Sequence, residues 1–156
     1  MVYSTSASDR PFIVLDTNVV LDWLLFMDTG VEALARELQA GRLRWIACQR
    51  MRDEFEHTLR RPALSRWRPD CEHLLARFDA HVRMVDPPPP ARGLRCADAS
   101  DQVFIDLAVS AKAIWLISHD RAVLRLRRRA TSMGLRIGKP ADWARDDAMN
   151  PPASAA

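Results

Sequence analysis

The chain has 156 residues, of which 48% are hydrophobic and 28% are charged, with a formal net charge of +3. This length and balance suit one globular domain and exclude a disordered chain. Three cysteines without a Cys-x-x-Cys pair predict reduced thiols rather than a disulfide framework or a zinc site. The longest apolar stretch, residues 19–27, is too short to cross a membrane, and residues 1–11 lack the apolar core of a signal peptide. We therefore expect a cytoplasmic protein.

Strands and helices are predicted to alternate along the chain. Short apolar runs rich in Val, Ile and Leu predict buried strands, whereas apolar residues three and four apart predict helices. Gly41 and Pro62 are expected to end helices, and Asp70 to begin one. The predicted strands are residues 12–15, 43–47, 82–85, 114–117 and 135–137. Helices are predicted at 19–26, 31–40, 49–61, 70–81, 121–130 and 140–145, and another begins at 98 or 100 and ends at 112.

This order predicts the α/β class, with a mostly parallel sheet of about five strands between helices. The second strand is expected to alternate its buried side chains through Leu43, Trp45 and Ala47. We expect a single domain over residues 12–147, a flexible N-terminus over residues 1–11 and a disordered tail over residues 148–156.

Acidic side chains follow two of the predicted strands. Asp16 stands at the end of the first strand and Asp120 just past the fourth. Because the carboxyl ends of parallel strands share one edge of the sheet, both side chains should project from that edge. On a helical wheel, Asp101 and Glu54 lean toward the apolar faces of their helices. We therefore expect four carboxylates to meet, with Asp98 close by.

Each of these acids also has a purely structural explanation. Asp16 and Asp120 can cap the helices that follow them, and Asp98 with Asp101 can neutralise the amides at a helix start. Glu54 can be an ordinary solvated acid on a helix surface. Capping accounts for each residue singly, but it does not explain why strand-end acids coincide with inward-leaning acids on neighbouring helices.

Carboxylates that meet in one place need a cation. They repel one another, and burial raises their pKa values further, so a hard divalent ion would remove the cost. Oxygen ligands without a histidine cluster favour Mg²⁺ or Mn²⁺ over zinc. Two such ions can activate a water molecule and stabilise the leaving oxygen of a phosphodiester. The pattern thus predicts metal-dependent phosphodiester hydrolysis.

Four segments resemble the motifs of the PIN-domain family, in order and at plausible spacing. The opening motif is similar to VLDTNV at residues 14–19, and the helix with the family's glutamate to RDEFEHTLRRP at residues 52–62. The third and fourth motifs are similar to DASDQVFIDLA at residues 98–108 and ISHDRAVL at residues 117–124. The resemblance covers roughly residues 12–140. Within the family, the chain resembles the bacterial and archaeal toxin components of toxin–antitoxin systems (VapC-like).

The resemblance implies a three-layer α/β/α sandwich, ribonuclease activity with Mg²⁺ or Mn²⁺, a cognate antitoxin partner and a homodimer or higher homo-oligomer. The catalytic residues would be Asp16, Glu54, Asp101 and Asp120, the metal ligands Asp16, Asp98, Asp101 and Asp120, and the hydrogen-bonding supports Asn18 and Ser118. One position departs from the family pattern, because His119 stands where a small residue is usual. His119 could crowd the site, contact a phosphate or serve a structural purpose.

Basic and aromatic residues suggest where RNA could bind. Arginines suit phosphate recognition, although a cluster of them can also be a solvated helix face. Trp67 lies between Arg66 and Arg68, and it could stack on a base or become buried in a dimer contact. The other four tryptophans are expected in the core. The candidate RNA-binding residues are Arg121, Arg125, Arg127 and Arg128.

Other functions remain open on the sequence. The fold could be catalytically silent and only bind RNA or a protein. A receiver-type phosphoacceptor switch would use Asp86 at the end of the third strand, although four prolines follow it. A phosphatase of the haloacid type would need a second aspartate where Asn18 stands.

Overall fold

The structure, a computed structural model, describes residues 11–146. The expected flexible N-terminus and disordered tail fall, apart from Pro11, outside these residues. Within this range, no helix combines the length and apolarity needed to span a bilayer. The predicted alternation of strands and helices is confirmed.

The described residues form a five-stranded parallel sheet flanked by helices, so the predicted α/β class is confirmed. The strands lie in the order β3-β2-β1-β4-β5. They are β1 (Phe12–Leu15), β2 (Arg44–Ala47), β3 (Val82–Met84), β4 (Trp115–Ile117) and β5 (Arg136–Gly138). The helices are α1 (Thr17–Leu24), α2 (Glu32–Gln39), α3 (Gln49–Leu59), α4 (Cys71–His81), α5 (Gln102–Ser110), α6 (Arg121–Leu124), α7 (Arg127–Thr131) and α8 (Pro140–Arg145).

The central strands are buried on both faces. Ile13 pairs with Trp45 of β2 on one side and with Trp115 of β4 on the other. In β2, Trp45, Ile46 and Ala47 are all at most 1% exposed, so the predicted alternation of buried and exposed residues is wrong there. Helices cover both faces of a parallel sheet, and its inner strands are therefore apolar at successive positions. The expected burial of four tryptophans (Trp23, Trp45, Trp115 and Trp143) is confirmed.

Several helix ends follow from local chemistry. Gly41, at φ 74°, follows the last turn of α2, and the Asp70 side chain accepts a hydrogen bond from the His73 amide at the start of α4. Pro62 begins a 3₁₀ segment, Pro62–Trp67, just after α3. The single helix predicted over residues 121–130 is instead the pair α6 and α7. The Leu126 amide bonds to Val123 three residues back, and this tighter turn interrupts the α-helical ladder.

The strand order places a topological switch point between β1 and β4. The chain runs from β1 outward through β2 and β3, then crosses back to β4 and continues to β5. Open α/β sheets bind ligands beyond the carboxyl ends of the strands at such a point. Asp16 and Asp120 follow the two strands that border it, and the Asp16 amide donates to the Ile117 carbonyl at 3.0 Å.

A candidate acidic site at the carboxyl edge of the sheet

A buried serine joins the two strand-end acids. Ser118, 0% exposed, follows β4 directly, and its hydroxyl donates to Asp16 Oδ2 at 2.6 Å. The same Oγ accepts a hydrogen bond from the Asp120 amide at 3.0 Å. Ser118 thus connects the Asp16 side chain to the backbone that carries Asp120, two residues from opposite parts of the sequence.

Both strand-end acids also cap helices, as the structural explanation predicted. Asp16 Oδ1 accepts a hydrogen bond from the Asn18 amide at 3.4 Å, and Asp120 Oδ1 accepts from the Ala122 amide at 2.8 Å. Capping orients these carboxylates at helix N-termini, where the amide dipoles favour negative charge. It uses Oδ1 in both residues, while Oδ2 of Asp16 faces Ser118.

Glu54 is held by a hydrogen bond from α1 and is not an ordinary solvated acid. Thr17 Oγ1 donates to Glu54 Oε2 at 2.8 Å, which connects α1 to α3. Thr17 is buried and Glu54 is half-buried, whereas the neighbouring Asp53 is exposed and accepts from Gln49 on its own helix. Glu54 and Asp53 therefore differ in their surroundings, and Glu54 lies toward the apolar face of α3 as the helical wheel predicted.

Asp98 and Asp101 differ although they stand in one motif. The exposed Asp98 accepts from the Ser100 amide at 3.0 Å and from the Ser100 hydroxyl at 2.7 Å, and these bonds lower its pKa. Asp98 is thus the cap of the 3₁₀ turn that precedes α5. Asp101 makes no side-chain capping bond to α5, so helix capping does not explain its position.

The pKa of Asp101 depends on burial and on the other acids of the site. Its pKa is raised to about 7, first by burial and then by the negative charges of Asp16, Asp120, Asp98 and Glu54. Burial also raises the pKa of Asp16, and the charge of Asp120 adds to this effect. The hydrogen bond from Ser118 acts in the opposite direction, because it stabilises the Asp16 carboxylate.

Besides Thr17, two further residues near the acids were not predicted from the sequence. The pKa of the half-buried Cys96 thiol is raised by burial and by the charges of Asp101, Asp120 and Asp98. The segment around Cys96 is held by the buried Gln102, whose Oε1 accepts from the Cys96 amide at 2.7 Å. Gln102 lies within the third motif, but its partner is reached through a loop that no local pattern predicts.

The donor set suits a hard cation. The candidate donors are carboxylate oxygens, which are the ligands that Mg²⁺ and Mn²⁺ prefer. Within residues 11–146, no three acidic, histidine or cysteine side chains lie close enough together to hold a metal ion as they are placed. The mutual charge repulsion felt at Asp101 is a cost that a divalent cation would remove.

Other predicted residues lie around the acids rather than among them. Asn18 is exposed, and it is its backbone amide that bonds to Asp16. His119 Nε2 lies 3.0 Å from Asp22 Oδ2, so this side chain leans toward α1. The candidate RNA-binding arginines of α6, α7 and the turn between them are all exposed (Arg121, Arg125, Arg127 and Arg128).

The fold and the site define an α/β domain that carries acidic side chains at the switch point of a parallel sheet. The PIN domain model matches residues 12–122, and the chain belongs to the PIN-domain family. A search of curated proteins finds no match.

Two solved structures are similar in fold. One is VapBC2 from Rickettsia felis bound to a DNA fragment from their promoter, with a TM-score of 0.57 and 12% identity over 81% of this chain and 96% of that chain. The other is PAE2754 from Pyrobaculum aerophilum, with a TM-score of 0.52 and 17% identity over 88% and 89% of the two chains. At these identities the likeness concerns the fold.

The strand order argues against a receiver-type switch. Receiver domains have the order 2-1-3-4-5, whereas this sheet has the order 3-2-1-4-5. Asp86, the residue that such a switch would phosphorylate, is exposed beyond the edge strand β3 and away from the switch point.

Proposed function

We propose that this chain is a Mg²⁺- or Mn²⁺-dependent endoribonuclease. The observation that carries the proposal is the link through Ser118 between Asp16 and Asp120 at the switch point of the sheet. Beside them, burial and then the charges of four acids raise the pKa of Asp101 to about 7. Membership of the PIN-domain family, whose members are typically nucleases, supports a hydrolase with this acidic site. RNA phosphodiesters are the proposed substrate.

The proposed metal ligands are Asp16, Asp98, Asp101 and Asp120, and Glu54 completes the acidic group. When bound, the ion would supply a water molecule of lowered pKa and would stabilise negative charge on the phosphate oxygens. Asp16, Glu54, Asp101 and Asp120 are the proposed catalytic residues. Asp98 is the only one of these four ligands that is exposed, and it also caps the 3₁₀ turn before α5.

Uncharged neighbours would keep these carboxylates in place. Ser118 donates to Asp16 and stabilises the ionised form of that carboxyl group, and Thr17 donates to Glu54 and holds its side chain beside α1. Asn18 supports Asp16 through its backbone amide. Asp101 holds a proton over part of the neutral pH range, and this proton must leave before the residue can bind a cation.

The cellular setting is part of the same proposal. The Rickettsia felis neighbour is a VapBC2 assembly on promoter DNA. By analogy, we propose a cytoplasmic toxin that pairs with an antitoxin protein and forms a homodimer or higher homo-oligomer. Arg121, Arg125, Arg127 and Arg128 are the proposed contacts to the RNA backbone.

A cleavage assay tests the proposal. Single-stranded RNA is incubated with the full chain in Mn²⁺, in EDTA, and with the Asp16→Asn and Glu54→Gln variants. We expect cleavage by the wild type in Mn²⁺ alone, and a loss of at least about 100-fold in either variant. Asp53→Asn, a matched change one residue from Glu54 on the exposed side of α3, should keep full activity.

The outcomes separate the two leading functions. Cleavage that persists in EDTA or in Asp16→Asn would remove the metal mechanism. RNA binding without cleavage, in Mg²⁺ and in Mn²⁺, would favour the catalytically silent RNA-binding module that the same fold could form.

A further inference from the structure

The exposed side of α1 begins beside the acidic site, and Phe26, just beyond its other end, contacts Trp67. Asn18 and Asp22 are four residues apart and thus share one face of the helix, and Phe26 follows at the same spacing just beyond its end. Asp22 meets His119, the residue that precedes Asp120, at 3.0 Å. At the far end, Phe26 contacts Trp67 edge-on, with 4.9 Å between ring centroids.

Trp67 differs from the other tryptophans in its exposure. Trp67 is 40% exposed, whereas each of the other four tryptophans is at most 7% exposed. The guanidinium of Arg66 lies 3.9 Å from the centroid of the Trp67 ring, a cation–π contact. Phe26 supports the ring edge-on. The Arg66–Trp67 pair therefore presents a large aromatic and guanidinium surface that the protein core does not use.

The surroundings of this pair are strongly basic. Residues 60–68 carry four arginines and no acidic residue. Arg61, Arg66 and Arg68 are exposed, and Arg60 pairs with Glu56 of α3. A partner that brings planar rings and negative charge together would complement this surface, and unpaired nucleotides do so.

We infer that the Arg66–Trp67 pair is a second RNA contact that stacks an unpaired base while the neighbouring arginines meet phosphates. The inference rests on the proposed function and adds to it a contact for unpaired nucleotides, because the bases of a duplex are already stacked on one another. The strand would extend from the acidic site along the exposed side of α1 to Trp67.

Binding can be measured apart from cleavage. The probe is fluorescein-labelled oligouridylate of about 12 nucleotides, within the length that a stacking groove covers, and anisotropy is recorded in EDTA. We expect Trp67→Ala to weaken binding by roughly tenfold, the loss of about 1.4 kcal/mol of stacking. Trp67→Phe should keep most of the affinity, and Arg66→Gln should lose affinity while Trp67 is intact.

Matched controls and a duplex probe make the test specific. Arg83 also lies over an aromatic ring, that of Phe12, but on the edge strand β3, and Met133 is an exposed apolar residue elsewhere. Arg83→Ala and Met133→Ala should bind like the wild type. The affinity for a duplex of similar length should change less than twofold in Trp67→Ala, since stacking is absent there.

Two results would overturn the inference. Oligouridylate affinity that is unchanged in Trp67→Ala would remove the contact, whatever the effect of Arg66→Gln. A Trp67→Ala chain that changes its oligomeric state in light scattering, with RNA affinity intact, would assign Trp67 to a contact between copies. If the chain binds oligouridylate through Trp67 but cleaves no RNA, the result counts against the proposed catalysis alone. The failure of the inference and the failure of the proposed function are therefore distinguishable.

Discussion

At Asp101 the fold places a carboxyl group where its negative charge is costly. Burial, and then the charges of four other acids, raise its pKa to about 7. Nothing in the hydrogen bonding of α5 requires an acid there, because the side chain makes no capping bond. The proposed cation would remove this cost, and in the metal-free protein the cost makes stability depend on pH.

Replacing Asp101 with asparagine should stabilise the metal-free protein at high pH. The pKa of Asp101 in the folded protein lies above the unfolded value of 3.8. The free energy that Asp101 contributes to folding is therefore fully present below about pH 4 and is lost as pH rises toward about 7. In EDTA near pH 8, Asp101→Asn should raise Tm by about 2–4 °C, or about 1 kcal/mol after solvent screening.

The control for this prediction is Asp53→Asn, an exposed acid on α3. Differential scanning fluorimetry between about pH 4 and pH 8 measures both variants. The increase in Tm produced by Asp101→Asn should fall toward zero near pH 4. A gain that is the same at every pH would show that the repulsion at Asp101 is absent.

Ser118 should be important for both stability and activity. Its hydroxyl satisfies Asp16 Oδ2 and the Asp120 amide, and it is 0% exposed. Ser118→Ala leaves both groups without this partner, so we expect a loss of about 1–3 kcal/mol in urea unfolding. The matched Ser110→Ala removes a 3.3 Å bond from an exposed serine and should cost less than about 0.5 kcal/mol. Equal losses in the two variants would contradict the role given to Ser118.

Among the elements, α7 should bind RNA through charge alone. Arg127 and Arg128 are exposed, and each phosphate contact contributes about −0.7 to the slope of log affinity against log salt for a single strand. Replacing both arginines with glutamate should weaken RNA binding and reduce the slope of log affinity against log salt by about 1.4. The same reversal at Arg36 and Arg42, which pair with glutamates of α2, is the control. An unchanged slope would identify Arg127 and Arg128 as solvated surface.

Across the whole molecule, cation binding should stabilise the fold in a pH-dependent way. An ion at about 100 times its Kd adds about 2.7 kcal/mol, or roughly 5–10 °C in Tm. Because Asp101 must lose its proton, the shift produced by Mn²⁺ should grow between about pH 6 and pH 8. Asp16→Asn should abolish the shift in scanning fluorimetry. A shift of equal size in that variant would place the ion elsewhere.

The amino-acid sequence by itself determined the class of fold and the order of its elements. Apolar runs, Gly41, Pro62 and Asp70 act over a few residues, so the periodicity and capping rules could detect them. The acids Asp16 and Asp120 could be assigned to one edge of the sheet, since parallel strands end together. These are local properties combined with one rule of topology.

Only the tertiary structure decided how the acidic site is supported. Ser118 and Asp16 are separated by 102 residues, His119 and Asp22 by 97, and Thr17 and Glu54 by 37. Such pairs form because the sheet order brings distant segments together, and no local pattern encodes them. The burial of β2 on both faces has the same origin: its neighbours, not its own residues, set its environment.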